Sequence, residues 1–73
     1  MSEQEVFEWL DAVYWWQHES GAHPLACGND SSHEKLFGFG TVNNEVELHC
    51  PDCDYVQKWV PDVVMNAYKE LGG

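Results

Sequence analysis

The residue pattern predicts a small α+β domain: an N-terminal helix, a three-stranded antiparallel sheet and a C-terminal helix, assembled around one metal site. Three observations carry this. A capping-box spacing opens an amphipathic stretch, a strand-like alternation runs on both sides of Asn43-Asn44, and a Cys-x-x-Cys pair stands where the second strand would end. The chain has 73 residues, enough for one domain over 1–73. Below roughly 70–80 residues a single core rarely supplies more than about 3–5 kcal/mol, so a further staple is expected.

The first helix is predicted over residues 2–18. Ser2 followed three residues on by Glu5 has the capping-box spacing. With the helical period, Val6, Phe7, Trp9, Leu10, Val13, Tyr14 and Trp16 share a broad apolar face, while Gln4, Glu8 and Asp11 lie opposite. His18 would close the helix, where its charge suits the dipole, and Gly21 and Pro24 mark the exit.

The sheet is predicted from a hairpin with a two-residue turn at Asn43-Asn44. Val42 then faces Glu45, Thr41 faces Val46, and the series continues to Phe37 opposite Cys50. One face would hold Phe37, Phe39, Thr41, Val46, Leu48 and Cys50; the other would hold Gly38, Gly40, Glu45, Glu47 and His49. After Cys53, residues 55–60 alternate loosely as a third strand. Residues 61–71 read as a helix with Pro61 in its first turn and Val63, Val64, Ala67, Tyr68 and Leu71 on one face.

Cys50-Pro51-Asp52-Cys53 is the sharpest motif. Two thiolates separated by two residues reach one ion across a tight turn and leave two tetrahedral positions to be filled. The turn-rich loop before the first strand supplies Cys27 and His33, giving a closed Cys3His set that favours one structural zinc ion and leaves no coordination vacancy. His23 is the alternative fourth ligand. His49 adjoins Cys50, but neighbouring strand residues point to opposite faces, which disfavours it. A redox dithiol is the competing reading, yet a thioredoxin-like pair opens a helix, and Cys53 precedes a strand-like run.

The stretch 27–60 resembles the zinc-ribbon family, whose knuckles commonly read Cys-Pro-x-Cys-Gly between strands of a three-stranded sheet. The resemblance implies a structural and docking module of transcription or translation machinery. Cys27 and His33 stand where that family often has a second Cys-x-x-Cys, and Asp54 stands where the knuckle glycine usually falls.

Charge shapes the functional expectation. Thirteen acids against three lysines and no arginine give a formal −10, and three ligated thiolates with one divalent ion would bring this to about −11. Lys35, Lys58 and Lys69 cannot neutralise a phosphate backbone, so direct nucleic-acid binding is disfavoured. A basic protein surface, such as one that handles nucleic acid, is the expected partner; solvated surface acid that serves solubility alone is the alternative. Glu8 and Asp11 flank Trp15 on the polar helix face, so these three are the candidate partner-binding residues; the alternative is that the ribbon or the following loop covers Trp15. A nucleic-acid-binding ribbon is the second reading, and a small redox or metal-dependent enzyme the third, although no catalytic constellation is evident.

The acidic N-terminus lacks the positive start of a signal peptide, and no apolar run is long enough for a bilayer, so a cytoplasmic location with reduced thiols is expected. Small size with strong acidity resembles phage-encoded modifiers of host machinery, which would place the protein in the host cytoplasm. A halophilic source would also account for the excess acid.

Overall fold

The computed structural model describes residues 2–71. Its order is helix α1 (Glu3–His18), strands β1 (Phe37–Gly40), β2 (Val46–His49) and β3 (Val56–Gln57), and helix α2 (Asp62–Glu70). The sheet is antiparallel with order β1-β2-β3, so the small α+β class stands as predicted. Within α1 the capping box is formed: Glu5 N–H donates to Ser2 Oγ at 3.3 Å, and Ser2 N–H reaches Glu5 Oε1 at 3.5 Å. Beyond its end, Gly21 takes a positive φ of 74° that lets the chain turn away.

The hairpin register differs from the expected one by a single residue. Phe37 pairs with His49, Gly38 with Leu48, Phe39 with Glu47 and Gly40 with Val46. The turn holds three residues, not two: Thr41 N–H donates to Glu45 O at 2.9 Å, Asn44 N–H to Thr41 O at 3.1 Å, and Asn44 takes φ 59°. A two-residue type I′ turn would require positive φ at both asparagines, whereas this loop requires it once. Thr41 Oγ1 also accepts the Asn43 and Glu45 N–H groups, each at 3.2 Å, which ties the longer loop.

A one-residue slip exchanges the faces of β1. Gly38 and Gly40 therefore point at α1, beside the inward Val46 and Leu48 of β2. A Cβ on Gly38 would lie 3.0 Å from Leu10 Cδ2, and one on Gly40 would lie 3.1 Å from Val6 Cγ1. Glycine here permits the close approach of helix to sheet. Phe37 and Phe39, expected in the core, stand outside, 43% and 46% exposed. Their rings lie against His49 at centroid distances of 5.7 and 4.6 Å.

The core gathers Ala12, Val13, Leu36, Leu48, Val64 and Met65 with the side chains of Cys27 and Cys50. α1 contacts both the sheet and α2, which turns its buried arc toward Ala12 and Gln17 and leaves Phe7 and Tyr14 exposed, contrary to the expected face. Along α2 the buried pair is Val64 and Met65; Val63 and Leu71, expected inside, are exposed, and Pro61 is the N-cap. The third strand is shorter than expected because Trp59 and Val60 already lead into α2.

Gly38→Val should lower stability by about 1–3 kcal/mol, the usual cost of forcing extra methyl groups into a packed contact. Phe37→Ala should cost less, since that ring is already half in water. Urea denaturation of the metal-loaded proteins compares the two; the opposite ranking would indicate the two-residue turn register.

Candidate metal centre

Two loops deliver the site. The first runs from the end of α1 to β1, and the second joins β2 to β3. Cys50 follows β2 directly, and its N–H donates to Tyr55 O at 3.1 Å, which closes the Cys50–Cys53 turn. Asp52 N–H points at Cys50 Sγ at 3.4 Å. The first loop repeats this device: Asn29 N–H points at Cys27 Sγ, also at 3.4 Å. In each loop the residue two past a cysteine thus offers its amide to the sulfur.

His33 reaches the same point through a side-chain turn. Asp30 Oδ1 accepts the Ser32 N–H at 2.9 Å and Ser32 Oγ–H at 2.7 Å, while His33 N–H donates to Asp30 O at 3.1 Å. This presents His33 Nδ1 to Cys50 Sγ at 3.6 Å and leaves Nε2 facing Asp30 Oδ2 at 3.7 Å. A carboxylate behind a ligating imidazole fixes its tautomer and orientation. Between the loops, Glu34 N–H donates to Asp52 Oδ2 at 2.7 Å.

The ligand atoms of Cys27, His33, Cys50 and Cys53 lie within 4.8 Å of one another, so these four residues could hold one metal ion. Cys27 Sγ and Cys53 Sγ are 3.6 Å apart, and all three cysteines are free thiols. Cys27 and Cys50 are buried, while His33 and Cys53 are partly covered. His23 and His49 lie outside the cluster. His23 Nδ1 rests against Pro24 O at 3.2 Å, and His49 Nε2 against Glu47 Oε1 at 3.0 Å on the outer sheet face.

The cluster shifts its own titration. Burial opposes ionisation of Cys27, but hydrogen bonds from the Asp30 and Asn29 backbone, then from His33 and Cys53, outweigh it and lower the thiol to about 6. The Cys27 and Cys50 sulfurs raise His33. At Cys53 the Tyr55 backbone favours the thiolate, yet burial and the neighbouring sulfurs push the thiol up. Protons therefore compete with a metal for these groups.

Several residues that build the site have no ligand role. Gln17, only 4% exposed, donates through Nε2 to Leu25 O at 3.0 Å and Leu36 O at 2.6 Å, and its Oε1 accepts the Leu25 N–H at 2.8 Å. It clamps both ends of the first ligand loop to α1. The signal was present, because Gln17 lies one helical turn past Val13 on the inward face. A Cβ on Gly28 would lie 2.7 Å from the Tyr55 ring, so any other residue there would have to displace that ring.

The candidate partner-binding residues divide. Glu8 and Asp11 are exposed and share a shallow depression of about 340 Å³ with Gln4, Phe7 and Tyr68. Trp15 is half-buried, its ring 5.9 Å from that of Tyr68 and 6.2 Å from that of Trp16. Tyr68 places α2 beside it. Compared with protein-family models, curated proteins and solved structures, the chain matches none. Among the described residues no helix is long and apolar enough to cross a membrane.

Acidification should release the metal. The raised Cys53 thiol keeps its proton against the metal already above neutrality; as pH falls further His33 is protonated ahead of an ordinary imidazole, and Cys27 follows near 6. Affinity should fall progressively from pH 8 to 5 on a chromogenic chelator, and a flat profile would contradict ligation by these groups. Gln17→Ala should destabilise the fold by about 1–3 kcal/mol through the exposed or unpaired Leu25 and Leu36 backbone groups, and should weaken metal binding as the loop loosens.

Proposed function

We propose that the centre holds one structural zinc ion and that the stapled domain is a non-enzymatic, acidic protein-interaction module. Tetrahedral zinc with Zn–S of about 2.3 Å and Zn–N of about 2.0–2.1 Å requires S···S edges of roughly 3.7–3.8 Å and S···N edges of roughly 3.5–3.6 Å. The 3.6 Å separations of Cys27 from Cys53 and of Cys50 from His33 fall close to both. Three thiolates and one imidazole fill all four positions, as in structural rather than catalytic sites.

The observation that carries the docking reading is the charge of −10 with no arginine. The outer side of α1 adds exposed Phe7 and Tyr14 beside Glu8 and Asp11. A partner with an apolar contact area and a basic rim complements that surface, and a nucleic-acid-handling protein in the cytoplasm is the class that offers one. By occupying the basic channel the module would exclude the nucleic acid, the mode expected of a small phage-encoded modifier.

The outward Phe37 and Phe39 favour one second reading, a ribbon whose aromatics stack on bases. Charge opposes it.

Native mass spectrometry should find one zinc per chain, with folding dependent on it, because structural zinc contributes roughly 10–16 kcal/mol in small peptides at neutral pH. Cys50→Ser should unfold much of the ribbon. His33→Ala should weaken zinc strongly, and His23→Ala and His49→Ala only slightly. A folded metal-free protein would remove the zinc reading. Against a partner obtained by affinity capture, Glu8→Lys with Asp11→Lys should slow association and flatten its salt dependence. Micromolar or tighter binding to single-stranded DNA or RNA at physiological salt would replace occlusion with the base-stacking reading.

A further inference from the structure

The tryptophan best placed to meet a partner is Trp59. It is 63% exposed, whereas Trp9, Trp15 and Trp16 are each partly covered. An exposed Trp in a small domain is unusual, and Trp is enriched at interface hot spots. Trp59 borders a groove of about 350 Å³ with Trp9 on α1. Val46 and Val60 supply apolar lining, and Glu45 and Asp62, both exposed, also line it. Gln57 Nε2–H donates to Trp59 O at 3.0 Å, which ties the backbone that carries the ring.

We propose that this groove receives an arginine side chain of the partner protein, a proposal that rests on the basic-surface reading above. The indole faces attract the guanidinium plane, and Glu45 and Asp62 complement its charge. Arginine suits the groove better than lysine because its planar head stacks on aromatics and is more weakly hydrated. Among the described residues Lys58 is the only cation lining the groove, and it opposes the incoming charge while the two acids outnumber it.

The groove and the α1 face make separable contributions. Glu8 and Asp11 lie in a different depression, bounded by Phe7 and Tyr68. Long-range attraction is a property of the whole acidic surface, while the groove selects one side chain.

The test titrates a short peptide of alternating glycine and arginine, with a norleucine peptide as control, into the zinc-loaded protein. The indole N–H resonances of the four tryptophans are read by NMR, and Trp59→Ala assigns its own signal. The Trp59 and Trp9 resonances should shift with the arginine peptide alone, and the Trp15 resonance should not. Trp59→Ala should weaken binding roughly tenfold. Glu45→Gln with Asp62→Asn should weaken it and flatten its salt dependence, and Lys58→Met should strengthen it. Zinc stoichiometry and the remaining indole signals verify that each variant is folded. Shifts confined to other tryptophans, equal response to norleucine, no response at all, or unchanged affinity in Trp59→Ala would overturn the groove assignment. A captured basic partner that needs Glu8 and Asp11 but ignores Trp59→Ala sinks the groove and spares the docking reading. Trp59-dependent peptide binding by a protein whose physiological target is nucleic acid does the reverse.

Discussion

The meeting of Cys27, His33, Cys50 and Cys53 is the constraint on which the rest of this structure depends. The three strands contain only ten residues between them, and β3 has two. A sheet this small is marginal without a partner layer or a cross-link. The four ligand atoms, within 4.8 Å of one another, bring the long loop after α1 to the turn between β2 and β3, and one metal ion held there would tie the two together. Such a tie would give the sheet fixed ends, and two of the four residues are themselves buried in the core.

Packing and polar satisfaction then act in support. Gln17 offers both ends of its amide to the backbone on either side of the first ligand loop, so the helix holds the loop through directed bonds. Gly38 and Gly40 let α1 lie close on the sheet, and Gly28 lets the Tyr55 ring lie against the first loop. Among the described residues no buried side-chain nitrogen or oxygen lacks a hydrogen-bond partner. The site is thus positioned from three directions: the helix clamp, the hairpin and the Asp52 link between loops.

The same arrangement divides the surface. Acids are distributed widely, so attraction to a basic surface is general and screened by salt. Exposed aromatics are local: Phe7 and Tyr14 on α1, Phe37 and Phe39 on the outer sheet face, and Trp59 at the entrance to α2. Charge attraction without such contacts gives encounter but little residence, and exposed aromatics are the kind of area that specific complexes bury.

What the sequence determined by itself was local chemistry. Ser2 with Glu5 announced the start of α1, and the Cys50–Cys53 spacing announced a two-ligand turn. Cys27 and His33 could be matched to that turn because a hairpin must return to where it began. Val46 and Leu48 were legible as inward residues because strand alternation is a two-residue rule. What only the tertiary structure decided was relative placement. The turn at Asn43-Asn44 admits a loop of two or three residues, and the choice reverses every side chain of β1. Packing of Gly38 and Gly40 beneath Leu10 and Val6 belongs to the three-residue form. The exposure of Trp15 and Trp59 was likewise invisible from spacing, because it depends on where α2 comes to rest. A helical wheel states which residues share a face, but only the neighbouring element decides which face meets water.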